Sequence, residues 1–376
     1  MSPVLKLLCE LIALPSVNPA FSSSDLSQTG EKRVAEFLAA HAAAAGLAVE
    51  LKEALPGRFN VLAVLEPVRK ARRRILLAPH MDTVGAESDD LYCPAVRQGR
   101  LYGRGACDTK GSVAAMMSAL IQLAGEAQRP QETEIVFAGL IDEENAQAGS
   151  RALAASRFKA DLAIVGEPTC LKIITAHKGT IWLRLETRGK AAHGAKPELG
   201  VNAVHEMARI IDWIETAYAG LLRKRRHALV GHATINVGMV RGGSQPNIVP
   251  PHCQAVADRR TIPGELDASV MAELRALLRK NGFKASVGCG KDAPCLPMEA
   301  DARLPLIRQF MSVVGQASPV GVDYFCDASV LSKAGIPSVV FGPGDIAQAH
   351  TAYEWISIKS LETATAMLVA YLRSLP

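Results

Sequence analysis

Short apolar runs recur along the chain at 75–78, 134–141, 161–165 and 338–341. Continuous runs of this length, without polar alternation, predict strands buried on both faces of a mostly parallel sheet. The segments between them are longer and rich in alanine and leucine, and 113–124 reads as a helix buried nearly all round. Strands alternating with helices predict an α/β domain, a mixed, mostly parallel sheet flanked by helices.

From 178 to 288 the pattern changes. Polar–apolar alternation marks strands at 181–187, 233–240 and 253–259, helical periodicity marks 201–217 and 265–280, and 283–287 makes a last short strand. The order β-α-β-β-α-β is that of a ferredoxin-like α+β unit. It predicts a second domain, 178–288, inserted into a first whose parts are 1–177 and 289–376, the latter ending in a helix at 359–375.

The residues at the carboxyl end of each apolar run carry the chemistry. His80 stands just beyond the first run, Glu143 and Glu144 beyond the second, Glu167 beyond the third and His350 in the loop after the fourth. Ligands of open α/β sheets bind beyond the carboxyl ends of the strands. These separate clusters are therefore expected to converge on one edge.

Two histidines and several acidic groups in this order suit a pair of divalent metals. His80 and Asp82 lie two apart on an extended segment and point the same way, so one can ligate while the other orients it. Asp108, in the glycine-punctuated turn of Gly103-Arg-Gly-Ala-Cys-Asp108-Thr-Lys-Gly, has two oxygens that can bridge both metals. Glu144 and Glu167 add one carboxylate to each, and His350 completes the second. Three ligand carboxylates and a bridging hydroxide would balance four positive charges, as a buried site requires. Imidazole and carboxylate without cysteine favour zinc, with cobalt or manganese able to use the same donors. Cys107 and Cys170 adjoin ligands in sequence but should point to the opposite side. Glu143 is left over and fits a general base that takes a water proton and returns it to a leaving amine. The remaining histidines, His41, His177, His205, His227, His232 and His252, read as surface or hydrogen-bonded core.

Length and composition add limits. The chain has 376 residues, 49% of them hydrophobic, enough for two domains. Its net charge of +5 is small for that length and excludes a dedicated nucleic-acid binder; the basic run 223–226 reads as solvated surface. Eight cysteines without paired spacing read as free thiols of a reducing compartment. No apolar run reaches membrane-spanning length and no cleavage pattern marks the N-terminal stretch, so a soluble, cytoplasmic protein that touches no membrane is expected.

Taken together, the residues from His80 to His350 resemble the di-zinc deacylases and exopeptidases that include acetylornithine deacetylase, succinyl-diaminopimelate desuccinylase and carboxypeptidase G. The resemblance implies that His80, Asp108 and Glu167 hold one zinc, that Asp108, Glu144 and His350 hold the other, that Asp82 orients His80 and that Glu143 is the base. Three further stretches match the family's lid motifs: Gly189-Lys-Ala-Ala-His193-Gly, Gly242-Gly-Ser-Gln-Pro-Asn247 and Asp258-Arg259-Arg260. They imply that His193 polarises the scissile carbonyl from the partner subunit of a homodimer formed by the inserted lid domain, and that Asn247 and Arg259 hold the substrate, Arg259 by its carboxylate. One departure is Pro79, where many relatives have glycine before the first metal histidine; proline fixes φ and removes an amide donor.

The stretch 341–350 is most similar to the acetylornithine deacetylase branch. Hydrolysis of an N-acyl amino acid is thus the first expectation, with N-acetylornithine and arginine biosynthesis leading. An exopeptidase or carboxypeptidase acting on short peptides is the second, and a catalytically silent binding protein on the same fold the third. Retention of Glu143 beside every ligand argues against the last.

Overall fold

The computed structural model describes residues 1–21, 26–126, 129–291 and 293–376. The chain divides into two compact units: Met1–Thr175 with Ala300–Val320 and Cys326–Pro376, and Ala176–Glu299 with Gly321–Phe325. Residues 289–291 and 293–299, read from the sequence with the resumed first domain, pack with the second unit.

The first unit is built on a mixed sheet. Arg73–Pro79 lies at its centre, parallel to Thr133–Gly139 on one side and to Leu162–Gly166 on the other, and Ser338–Val340 extends the parallel run. These strands coincide with the apolar runs, and Leu162–Gly166 is buried at every position, as a sheet covered on both faces demands. A hairpin of Ala48–Leu55 and Arg58–Leu65 adds antiparallel strands beside Thr133–Gly139. The helix Lys110–Ala124 is buried along almost its whole length. Together with Pro3–Ile12 and Ile358–Arg373 it contributes to one core cluster that includes Leu8, Leu120, Phe137 and Leu372. The helix Pro3–Ile12 and the hairpin were not singled out by the sequence patterns.

The second unit runs strand Gly179–Arg188, helix Ala203–Trp213, strands Thr234–Gly242 and His252–Thr261, helix Asp267–Lys280 and strand Ala285–Cys289. This is the β-α-β-β-α-β order expected. The sheet is antiparallel throughout, with spatial order Thr234–Gly242, His252–Thr261, Gly179–Arg188, Ala285–Cys289. Its helices cover the face that carries Ile181, Leu183, Leu185, Cys253, Ala255 and Ala257.

Candidate metal centre

The ends of the parallel strands deliver the acidic and imidazole groups to one place. Pro79 closes the central strand without disturbing the ladder: its carbonyl accepts from the Leu140 amide at 2.9 Å, and the Leu140 carbonyl accepts from the Met81 amide at 2.8 Å. His80 is thereby registered against the chain that leads to Glu143. Pro79 also pairs with Gly166, where an added Cβ would meet the proline ring at 2.8 Å. A glycine is needed just before Glu167 for that reason.

Two clusters of donors share Asp108. His80, Asp108 and Glu167 offer atoms that all lie within 4.8 Å of one another, as do Asp108, Glu144 and His350. His80 Nε2 is 3.2 Å from Asp108 Oδ1 and 3.8 Å from Glu167. His350 Nε2 is 3.3 Å from the other Asp108 oxygen and 3.1 Å from Glu144. Each oxygen of Asp108 thus faces a different histidine, the disposition a bridging carboxylate needs.

The surroundings orient these groups. His80 Nδ1 lies 3.0 Å from the Asp82 backbone carbonyl and 3.4 Å from its carboxylate. Asp82 therefore fixes the imidazole through its main chain as well as its side chain, leaving Nε2 toward the clusters. The Asp82 carboxylate accepts from Asn18 Nδ2 at 2.7 Å and from the amides of Glu143 and Glu144 at 3.1 Å each. Thr109 Oγ1 donates to the Gly166 carbonyl at 2.9 Å, tying the Asp108 turn to the strand before Glu167. Asp142, ahead of Glu143, has φ +66°, a left-handed conformation that ordinary residues adopt only when their surroundings impose it. Its surroundings do so: the Asp142 amide donates to Glu31, and its carboxylate accepts from Arg58 and Asn18.

Charge shows what the clusters lack. Burial, then the Glu167 charge, pushes Glu143 well above the usual carboxylate range. Burial raises Glu144 and Glu167 too, with Asp108 adding to both. Asp327, buried and hydrogen-bonded to Ser150 Oγ at 2.5 Å, is pushed up to about 6, chiefly by burial. His350 is raised to about 10 by its hydrogen bonds to Asp108 and Glu144. His80 also stands well above its ordinary value: burial opposes protonation, but Asp108 and Asp82 overcome it. Two imidazolium groups do not balance Asp82, Asp108, Glu143, Glu144, Glu167 and Asp327. Carboxylates pressed together without compensating charge form a site that a cation would stabilise, so the donor set fits divalent metal.

The neighbouring groups fall mostly where expected. Cys107 turns away from the clusters, its Sγ 3.2 Å from the Asp345 carbonyl. Among the described residues no disulfide forms. His177 is fully buried, bonded at Nδ1 to the Lys178 carbonyl at 2.8 Å, and pushed down to about 4 by burial. Among the described residues no helix is long and apolar enough to cross a membrane.

The lid motifs meet within the second unit. The Asn247 carbonyl accepts from the Gly194 amide at 2.7 Å, and a Cβ on Gly194 would lie 2.9 Å from the Asn247 carbonyl oxygen. His193 is exposed, and its Nδ1 accepts from the Ala195 amide at 3.1 Å; in the neutral ring this places the proton on Nε2. Arg259 differs from expectation. It is buried within its strand, its side chain 0% exposed, and Nη2 donates to Glu265 at 2.6 Å. A substrate carboxylate would have to displace Glu265 to reach it. Strand alternation puts Arg260 on the other face, half-buried and 3.0 Å from Asp258.

Several groups around the clusters went unread in the sequence: Asn18, Glu31 with Arg58, Asp327 and Glu354. Each acts through a contact far along the chain, and no local spacing marks such a partner.

Comparison with known proteins agrees with the geometry. The chain is 30% identical over 347 residues to an acetylornithine deacetylase of Myxococcus xanthus, covering 89% of each chain. It is 30% identical over 362 residues to one from Edwardsiella ictaluri, covering 92% of this chain and 91% of the relative. In fold it is similar to a tripeptidase from Staphylococcus aureus, with TM-score 0.78, 21% identity and coverage of 99% and 97%. A metallo-carboxypeptidase from Sulfolobus solfataricus gives TM-score 0.77 at 20% identity, covering 99% of each chain. The sequence pattern of peptidase family M20/M25/M40 matches residues 76–374, and with its shared-carboxylate clusters the chain belongs to that family of metal-dependent hydrolases.

Proposed function

We propose that this chain hydrolyses the acyl amide of an N-acyl amino acid, with N-acetylornithine as the leading substrate. The observation that carries the reading is the pair of three-donor clusters sharing Asp108, with Glu143 beside them and not needed as a ligand. The deacetylases at 30% identity support the choice of substrate.

His80, Asp108 and Glu167 would hold one divalent ion and Asp108, Glu144 and His350 the other, zinc being favoured by imidazole and carboxylate donors. Such a pair, when bound, lowers the pKa of a shared water and polarises the acyl carbonyl. Glu143 takes the proton of the attacking water and passes it to the amide nitrogen as the carbon–nitrogen bond breaks, releasing the carboxylic acid and the free amine. Asp82 keeps Nδ1 of His80 engaged so that Nε2 stays aimed at the cluster.

His193 of the partner subunit would donate Nε2–H to the developing oxyanion, in a homodimer formed by the second unit. Asn247 would hold the substrate, and Arg260 rather than the buried Arg259 would receive its carboxylate. Turnover of N-acetylornithine, N-succinyl-diaminopimelate and a dipeptide panel, measured with zinc content, tests the reading. Preference for N-acetylornithine is expected. Preference for peptides would transfer the assignment to an exopeptidase, and no turnover by zinc-loaded protein would sink the hydrolytic reading.

A further inference from the structure

The turn that carries Asp108 raises a problem of its own. Residues 103–108 are almost wholly buried yet belong to no regular strand or α-helix, so their amides need acceptors from elsewhere. One carboxylate supplies them for Gly105, Cys107 and Asp108, while the Arg104 and Ala106 amides donate to the carbonyls of Leu91 and Gly103. Glu354, 1% exposed, accepts at Oε2 from Arg104 Nη1 at 2.8 Å and the Gly105 amide at 3.0 Å. At Oε1 it accepts from the amides of Cys107 at 2.8 Å and Asp108 at 2.9 Å. Its own carbonyl accepts from the Gly103 amide at 3.1 Å. Just beyond it, Trp355 pairs with Tyr102 in an antiparallel ladder.

We propose that Glu354 is a positioning residue of the metal centre, holding the backbone of the shared ligand Asp108 in fixed relation to the segment that carries His350. Glu354 lies four residues beyond His350. Asp108 and His350 both belong to the second cluster, and Asp108 also belongs to the first. The same carboxylate therefore sets the orientation of the bridge and the path of the chain leaving the terminal histidine. Asp108 must present one oxygen to each cluster, so a small rotation of its peptide would break the sharing.

The proposal rests on reading Asp108 and His350 as ligands, and the test separates the two claims. Full-length Glu354→Gln and Glu354→Asp are stripped of metal. Zinc affinity is then read by competition with a chromophoric chelator, the visible spectrum is recorded after Co²⁺ loading, and melting is followed without metal. Glutamine keeps the shape but offers one oxygen in place of two; aspartate keeps the charge but withdraws it by a methylene. Glu354→Gln is expected to weaken zinc by about 10–100-fold, the effect of losing an outer partner of a metal ligand, and to alter the Co²⁺ spectrum. Glu354→Asp should fall between it and the wild type. Phe310→Leu, a core truncation, should lower melting while leaving zinc affinity unchanged.

A folded Glu354→Gln with wild-type zinc affinity and Co²⁺ spectrum overturns the proposal, as does lowered melting with both unchanged. If the glutamine variant does not fold, Glu354→Asp decides by the same readouts, and wild-type values there overturn it equally. Wild-type protein that takes up no zinc would instead refute the ligand assignment itself.

Discussion

Substituting Asp108 tests the shared-carboxylate geometry most directly. Each cluster has three donors, and Asp108 is the one common to both. Asp108→Ala leaves His80 with Glu167 and His350 with Glu144, two donors per site. Catalytic zinc sites hold three protein ligands, so the content should fall from about two ions per chain to nearly none. Asp108→Asn is more discriminating, because its single carbonyl oxygen can serve one cluster while the amide nitrogen faces the other; about one ion should remain by the same donor count. His350→Ala removes a donor from one cluster alone and should also leave about one. Removing the Asp108 charge should further move the His350 pKa from about 10 toward its ordinary 6.5, with Glu144 still holding it part of the way up. Metal is measured by atomic emission after dialysis against metal-free buffer, with circular dichroism to establish folding and NMR to follow the imidazole. A folded Asp108→Ala protein that keeps two ions would refute the bridge.

Glu143→Gln should retain metal yet lower kcat by about 10²–10⁴, the scale of a lost general acid/base; loss of metal with activity intact would reverse its role. Zinc binding near pH 7 should release protons, because the raised histidines must be neutral, and the raised Glu167 carboxyl ionised, to ligate. Calorimetry in buffers of different ionisation enthalpy counts them, and heats independent of buffer would contradict it. The sign also bears on stability without metal: a raised His350 favours the fold fully below 6.5, and that contribution fades as pH climbs through about 10. Mixing Glu143→Ala chains with His193→Ala chains should restore part of the activity if each site draws His193 from its partner, and verified subunit exchange without recovery would exclude that arrangement.

Much of this molecule was legible along the chain. The buried parallel strands announced themselves because a strand covered on both faces has no reason to alternate, and the strand ends told where His80, Glu143, Glu144, Glu167 and His350 would gather. Alternation likewise gave the β-α-β-β-α-β unit. Local pattern did not decide the face and partner of single polar residues. Arg259 and Arg260 are neighbours in sequence, and only the register of His252–Thr261 sends one to Glu265 and the other to the opposite face.

The residues that hold the centre in place were decided by tertiary structure alone. Asn18 meets Asp82 and Asp142 across 64 and 124 positions. Glu354 meets the Asp108 turn across 246. A repeating apolar period reports burial averaged over a whole element, which is why it survives in the sequence. A buried carboxylate satisfied by scattered amides depends on one distant contact, and that contact exists only after the strands, turns and helices have packed.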